Sequence, residues 1–215
     1  MLWQSLLHTA VGFLMAFVGL AAPGLLTMTT LKVGVERGAK EGRKFAFGVM
    51  FPIVIQAHIA LLGAHYLLQN KVILVRLSQM AILLFVLLAW LFFRQARKGY
   101  SRSQVSRFNI RNSVVYGIFI SLINPLGIPF YLTYSSLLEY YGIIQFEQPF
   151  ISLFVLGATL GAFSILALYA TYARRIIGRI QFVSRNFYYI LSFVSAFLAL
   201  ASIVGNIIKH HSDKV

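Results

Sequence analysis

Residues 113–135 read SVVYGIFISLINPLGIPFYLTYS, without one charged side chain. At a rise of about 1.5 Å per residue, a helix of this length crosses a hydrocarbon core of about 30 Å. The alternation that marks a membrane β-strand is absent, so the backbone must satisfy its own hydrogen bonds as a helix. In the middle of the run stands Asn124-Pro125-Leu126-Gly127-Ile128-Pro129. Proline removes a donor and clashes with the preceding turn, while glycine tolerates unwound dihedrals. The stretch therefore predicts a transmembrane helix interrupted near its centre.

Working outward, comparable apolar runs lie near 6–30, 45–68, 72–93, 150–172 and 187–208, which makes six spans with 113–135. Composition agrees: of 215 residues 59% are hydrophobic and 11% charged, with a mean hydropathy of +0.79. A soluble domain carries charge on roughly a quarter of its residues. The fold class expected is an all-α membrane protein, one transmembrane domain over 1–215, with no separate soluble domain. The first run is read as a retained span, because its first seven residues hold no Lys or Arg and its apolar stretch outlasts a signal-peptide core. With no cysteine there is neither a disulfide framework nor a thiolate metal site. No cofactor and no metal is expected.

The net charge of +14 would suit a nucleic-acid binder were the chain soluble. Here the charges lie between the apolar runs, where they set topology, so nucleic acid is excluded as a partner. Assigning connections alternately to two sides gives one side Lys32, Arg37, Lys40, Arg43 and Lys44, then Arg94, Arg97, Lys98, Arg102, Arg107 and Arg111, then Arg174, Arg175, Arg179 and Arg185. The other side keeps Lys71, Arg76, Lys209 and Lys214, with Glu139 and Glu147 unopposed in the fourth connection. Basic residues mark the cytoplasmic side, so both termini are expected outside a cell membrane, the bacterial inner membrane. Anionic lipid headgroups are natural neighbours for the basic clusters.

The basic connection 94–111 splits the chain into repeat one, about 1–98, and repeat two, about 107–215. Three spans per half oblige the second half to enter from the opposite side, the plan of two inverted three-helix repeats found in many secondary transporters. Each half interrupts its first span: Ala22-Pro23-Gly24 in one, Asn124-Pro125 through Pro129 in the other. Main-chain groups freed there cannot face hydrocarbon and must meet protein, water or a solute. Small residues recur at close-packing spacing: Gly12, Ala16, Gly19 and Pro23; Gly157 and Gly161; and Ser192, Ser195, Ala196, Ala199 and Ser202. These are helix-packing stripes and offer a surface for a homodimer.

The stretches APGLLTMTTLKVGVERGAKEGRKFAFG and YGIFISLINPLGIPFYL resemble the paired motifs of the LysE/RhtB superfamily of amino-acid exporters, at Pro23, Gly24, Gly34, Gly38, Gly42, Gly48, Gly117, Asn124, Pro125, Phe130 and Tyr131. The resemblance runs over nearly the whole chain and implies the six-span duplicated layout and outward transport of an amino acid or derivative. Leu25 and Leu26 stand where the family has Pro then Asn, Pro52 or Ile53 where it has an acidic residue, and Leu126 where it has a basic one. The chain resembles a divergent member.

The candidate pathway residues are Pro23, Gly24 and Thr27 at the first break and Asn124, Pro125, Gly127, Pro129 and Tyr131 at the second. No carboxylate lies in any span, so a carboxylate proton relay is not on offer. Histidine as a residue type is the side chain that can carry a proton near neutrality, and His58, with Gln56 beside it, is the candidate for proton coupling. The function expected is a secondary exporter of a small polar metabolite. The alternatives are a channel or ion or metal transporter, which the lack of a charged ring disfavours, and a membrane-embedded enzyme, for which the spans supply no acid or nucleophile beside a histidine and hence no catalytic residue.

Overall fold

The computed structural model describes residues 2–69 and 110–176, with isolated helical positions at 86, 89, 90, 93, 94, 97, 189, 192, 193, 196, 197 and 200. All regular structure among these residues is helical. The elements are α1 (Leu2–Gly19), α2 (Leu25–Glu36), α3 (Ala39–Gln69), α4 (Ser113–Leu122), α5 (Gly127–Tyr140) and α6 (Phe150–Thr171). Among the described residues three helices are long and apolar enough to cross a membrane: α1, α3 over Ala39–Tyr66, and α6. A fourth crossing is available if Ser113–Leu122 and Gly127–Glu139, bent by 63°, form one broken span.

Both interruptions are present, and their chemistry explains their place. A lone proline does not suffice: Pro52 sits inside α3 and the helix continues through it. Where proline joins glycine, at Pro23-Gly24 and at Pro125 with Gly127, the helix stops and restarts. Pro129 lies in the first turn of α5, where its missing N–H leaves no orphan.

The expected boundaries need one correction. Lys32 and Glu36 were assigned to a loop after a span ending at 30, and Lys40, Arg43 and Lys44 to the same loop. Instead α2 runs to Glu36, only Arg37 and Gly38 connect, and α3 begins at Ala39. Charge marks where a helix leaves the apolar layer, not where it ends. The stop is made by Gly38 at φ +92°, a left-handed conformation that glycine adopts without steric cost. The fourth run also extends past 135, to Tyr140. The fifth agrees closely, with α6 from Phe150 to Thr171.

The chain groups into two units, Met1–Tyr66 with Ser103–Arg179, and Leu67–Arg102 with Ile180–Val215. The second unit holds the runs 72–93 and 187–208, which lie largely outside the described residues. Within it the Ser192 hydroxyl donates to the Ala89 carbonyl at 2.9 Å and Phe93 meets Tyr189 edge-on at 6.3 Å.

The first unit is assembled from two parallel helix pairs. In one, α1 runs alongside α6: His8 is level with Phe150, Gly12 with Phe154 and Ala158, Phe13 with Gly157 and Gly161, and Ala21 with Tyr169. In the other, α3 runs alongside α4: Glu41 is level with Ser113, Phe45 with Gly117, and Val49 and Gln56 with Ser121. Of the predicted small-residue stripes, those of Gly12 and of Gly157 with Gly161 are contact faces, while the one from Ser192 to Ser202 lies largely outside the described residues. A Cβ on Gly12, Gly157 or Gly161 would collide with the carbonyl of Phe154, Thr9 or Phe13, and one on Gly48 or Gly117 with that of Val114 or Phe45. Backbones in direct contact gain dispersion that lipid cannot replace, which is how helices associate where no hydrophobic drive acts between them.

Polar contacts fix the start of each pair. At one, Glu41 accepts from the Ser113 hydroxyl at 2.6 Å and from Lys44 at 2.7 Å, while Arg37 donates to the Ile110 carbonyl at 2.9 Å. The Asn112 side chain caps α4 by accepting from the Val114 N–H at 2.9 Å. At the other, buried His8 stacks on Phe150, its Nδ1 lies 2.7 Å from the Gln4 carbonyl and its Nε2 accepts from the Gln145 N–H at 2.9 Å. Those partners assign the ring hydrogen to Nδ1.

Candidate functional site

The two interruptions touch. Gly19, the last residue of α1, lies against the ring of Phe130 in the first turn of α5, so tightly that a Cβ there would strike the ring. Phe130 is itself packed with Tyr131, centroids 5.2 Å apart, and Tyr134 at 4.9 Å. Segments over a hundred residues apart in sequence thus meet within the first unit.

At the first break the freed carbonyls are met by side chains. The Thr27 hydroxyl donates to the Leu20 carbonyl at 2.9 Å and lies 3.3 Å from that of Ala22. The Tyr169 hydroxyl, from α6, donates to the Ala21 carbonyl at 2.6 Å. Pro23 is buried, and Gly24 has open space where a side chain would project. The first turn of α2 has no side-chain cap at Gly24.

At the second break the Gln56 amide, from α3, donates to the Ser121 carbonyl at 2.9 Å. Its Oε1 packs onto Gly127, where an added Cβ would displace the amide. The Asn124 carboxamide oxygen accepts from the Leu126 N–H at 3.4 Å, an Asx turn that shapes the break, and α5 likewise starts without a side-chain cap. Pro125 and Pro129 are exposed, and Tyr131 is buried.

Of the residues predicted for the pathway, Gly24, Asn124 and Gly127 line the breaks themselves. Thr27 was expected to offer its hydroxyl to a solute; that hydroxyl is engaged with its own break. His58 lies on the flank of α3, its Nδ1 3.1 Å from the Val54 carbonyl, one turn before the 55%-exposed Leu62. Gln56, expected only as its companion, is the side chain at the break. Tyr169 was not singled out at all. A signal for it exists: it follows Gly161 by eight residues, as Gln56 follows Gly48.

These contacts give a stability test. Thr27→Val keeps shape and burial but strands the Leu20 and Ala22 carbonyls, and is expected to lower the unfolding free energy of the purified protein by about 1–3 kcal/mol. Thr29, equally buried, donates to Leu25 one turn back in its own helix, and Thr29→Val should cost less than about 0.5 kcal/mol. Equal losses in thermal or denaturant unfolding would contradict the assignment.

Helices of membrane-crossing length, beside a bent helix pair, define a multi-pass membrane protein. The family model of the LysE type translocator matches residues 17–204, and the chain belongs to that family, one of membrane transporters and not of enzymes. No curated protein and no solved structure matches it.

Proposed function

We propose that the chain is a secondary exporter that moves a small polar metabolite, an amino acid or derivative, out of the cell by alternating access at the junction of the two helix breaks. The observation that carries this reading is the contact of Gly19 with Phe130, which brings together two uncapped interruptions, one from each half of the chain. A solute held there meets main-chain groups, neutral amides and hydroxyls, chemistry suited to a zwitterion or neutral polar molecule.

The inverted-repeat plan is part of the proposal. Exchanging the halves maps span one onto four and two onto five, so the pairing of α1 with α6 becomes that of α4 with α3. Those are the two pairs observed, and a twofold relation accounts for both at once. The basic end, with Arg37, Arg111 and Arg174, faces the cytoplasm of a bacterial cell, and both termini lie outside.

Metabolite profiling tests the function. Medium from cells expressing the chain should accumulate one or a few small polar solutes, with the cytosolic pool falling in parallel. Identical media with and without the protein, across carbon and nitrogen sources, would remove the exporter reading.

A further inference from the structure

Each break is tied to a helix of the opposite half by a single side-chain donor. Tyr169, in the second half, reaches the Ala21 carbonyl at the first break at 2.6 Å, and Gln56, in the first half, reaches the Ser121 carbonyl at the second at 2.9 Å. The two donors occupy equivalent places. Each lies eight residues beyond a glycine, Gly161 or Gly48, that presses on the backbone of the span being held. Gln56 is not explained by packing alone: it is 7% exposed, and an amide sunk to that depth is retained only where its hydrogen bonds are made.

We infer that Gln56 and Tyr169 are paired positioning residues of the transport cycle, each fixing one helix break to the parallel span beside it. The consequence is mechanical. Break one travels with α1 and α6, and break two with α3 and α4, so each moving body contains one span from either half. The backbone contacts at Gly12, Gly157 and Gly161 hold the first body together, and those at Gly48 and Gly117 the second. Near the breaks the bodies meet at Gly19 through the tip of the Phe130 ring, a side chain that can swing, whereas at the basic end Gly42 of α3 lies close against Gly34 and Ala170, so that end is the pivot. Relative motion at the Phe130 contact opens and closes the junction. This role rests on the exporter reading; the tethering itself does not.

The test needs no solute. The chain has no cysteine, so single labelling sites are clean. Gly24→Cys places a thiol in open space at the first break, with φ −137° allowed to any residue, and Leu126→Cys, 42% exposed, reports on the second. Each carries a methanethiosulfonate nitroxide in lipid nanodiscs, and the mobile fraction of the electron paramagnetic resonance spectrum is read. Tyr169→Phe should raise the mobile-to-immobile ratio at Gly24→Cys about five-fold, the shift that loss of a hydrogen bond worth about 1 kcal/mol produces, and leave Leu126→Cys unchanged. Gln56→Met should do the reverse, and Gln56→His, which returns an N–H donor, should restore the parent spectrum. If Gln56→Met does not assemble, the Tyr169→Phe arm decides alone. No change at either reporter, or the same change at both, overturns the inference and leaves the exporter reading intact, whereas unchanged media in the profiling experiment remove the exporter and leave the tethers.

Discussion

Leucine at Gly48 or Gly117 is expected to eliminate folded protein. The first atom beyond Cα at Gly48 would enter the Val114 carbonyl, and at Gly117 the Phe45 carbonyl, with the Val49 amide close by. Neither obstacle is the far end of a flexible side chain. The only relief is to move α3 away from α4, which drags Gln56 from Ser121 and Glu41 from buried Ser113. A single added methyl in a packed interface costs about 1–3 kcal/mol, and a full leucine more, a large part of the margin of a small domain. Gly117→Ala should therefore lower the melting temperature in detergent measurably, and Gly117→Leu should leave little monodisperse protein after extraction. Gly63→Ala is the control, since a Cβ there meets only Leu132 Cδ1 at an ordinary 3.7 Å. If Gly117→Leu and Gly63→Ala melted alike, the direct contact of α3 with α4 would be wrong.

That interface also shows what the sequence could and could not say. Gly12, Gly157 and Gly161 stood out as packing residues because small side chains at helical spacing form a smooth stripe, and they are packing residues. Which stripe met which was not legible, since a glycine names the closeness of its neighbour and not its identity. The breaks were legible because proline with glycine is a local constraint, written in adjacent residues. The end of α2 was not: Lys32 and Glu36 read as loop charges, yet a helix continues through polar residues until something stops it, here Gly38.

The site was half legible for the same reason. Asn124 and Gly127 sit in the break they mark. Gln56 and Tyr169 act at a distance, one on Ser121 and the other on Ala21, so their roles depend on a pairing of spans that only the fold reveals. Thr27 carried the right chemistry for a solute contact, but the carbonyls of Leu20 and Ala22 stand closer to its hydroxyl than any solute needs to.

Straightening either break is expected to abolish export while leaving the protein in the membrane. In the second break, Asn124→Leu with Pro125→Ala removes the Asx turn to Leu126 and the ring that bars a helical turn, and leaves apolar residues from Leu122 to Ile128 with one glycine. A proline inside a helix costs about 3 kcal/mol, so deleting it favours the unbent form by a factor of about a hundred. As the 63° bend closes, Phe130 swings away from Gly19 and Gly127 away from Gln56, and the junction of the two breaks is lost. Pro23→Ala should act likewise on the first break, less completely because Gly24 remains. Insertion should survive, because both segments become longer unbroken apolar helices. The measurement is release of the solute found by profiling from preloaded cells, beside the amount of protein in the membrane fraction. Full release by both variants at normal protein levels would mean that the solute crosses elsewhere than at the junction of Gly19 with Phe130.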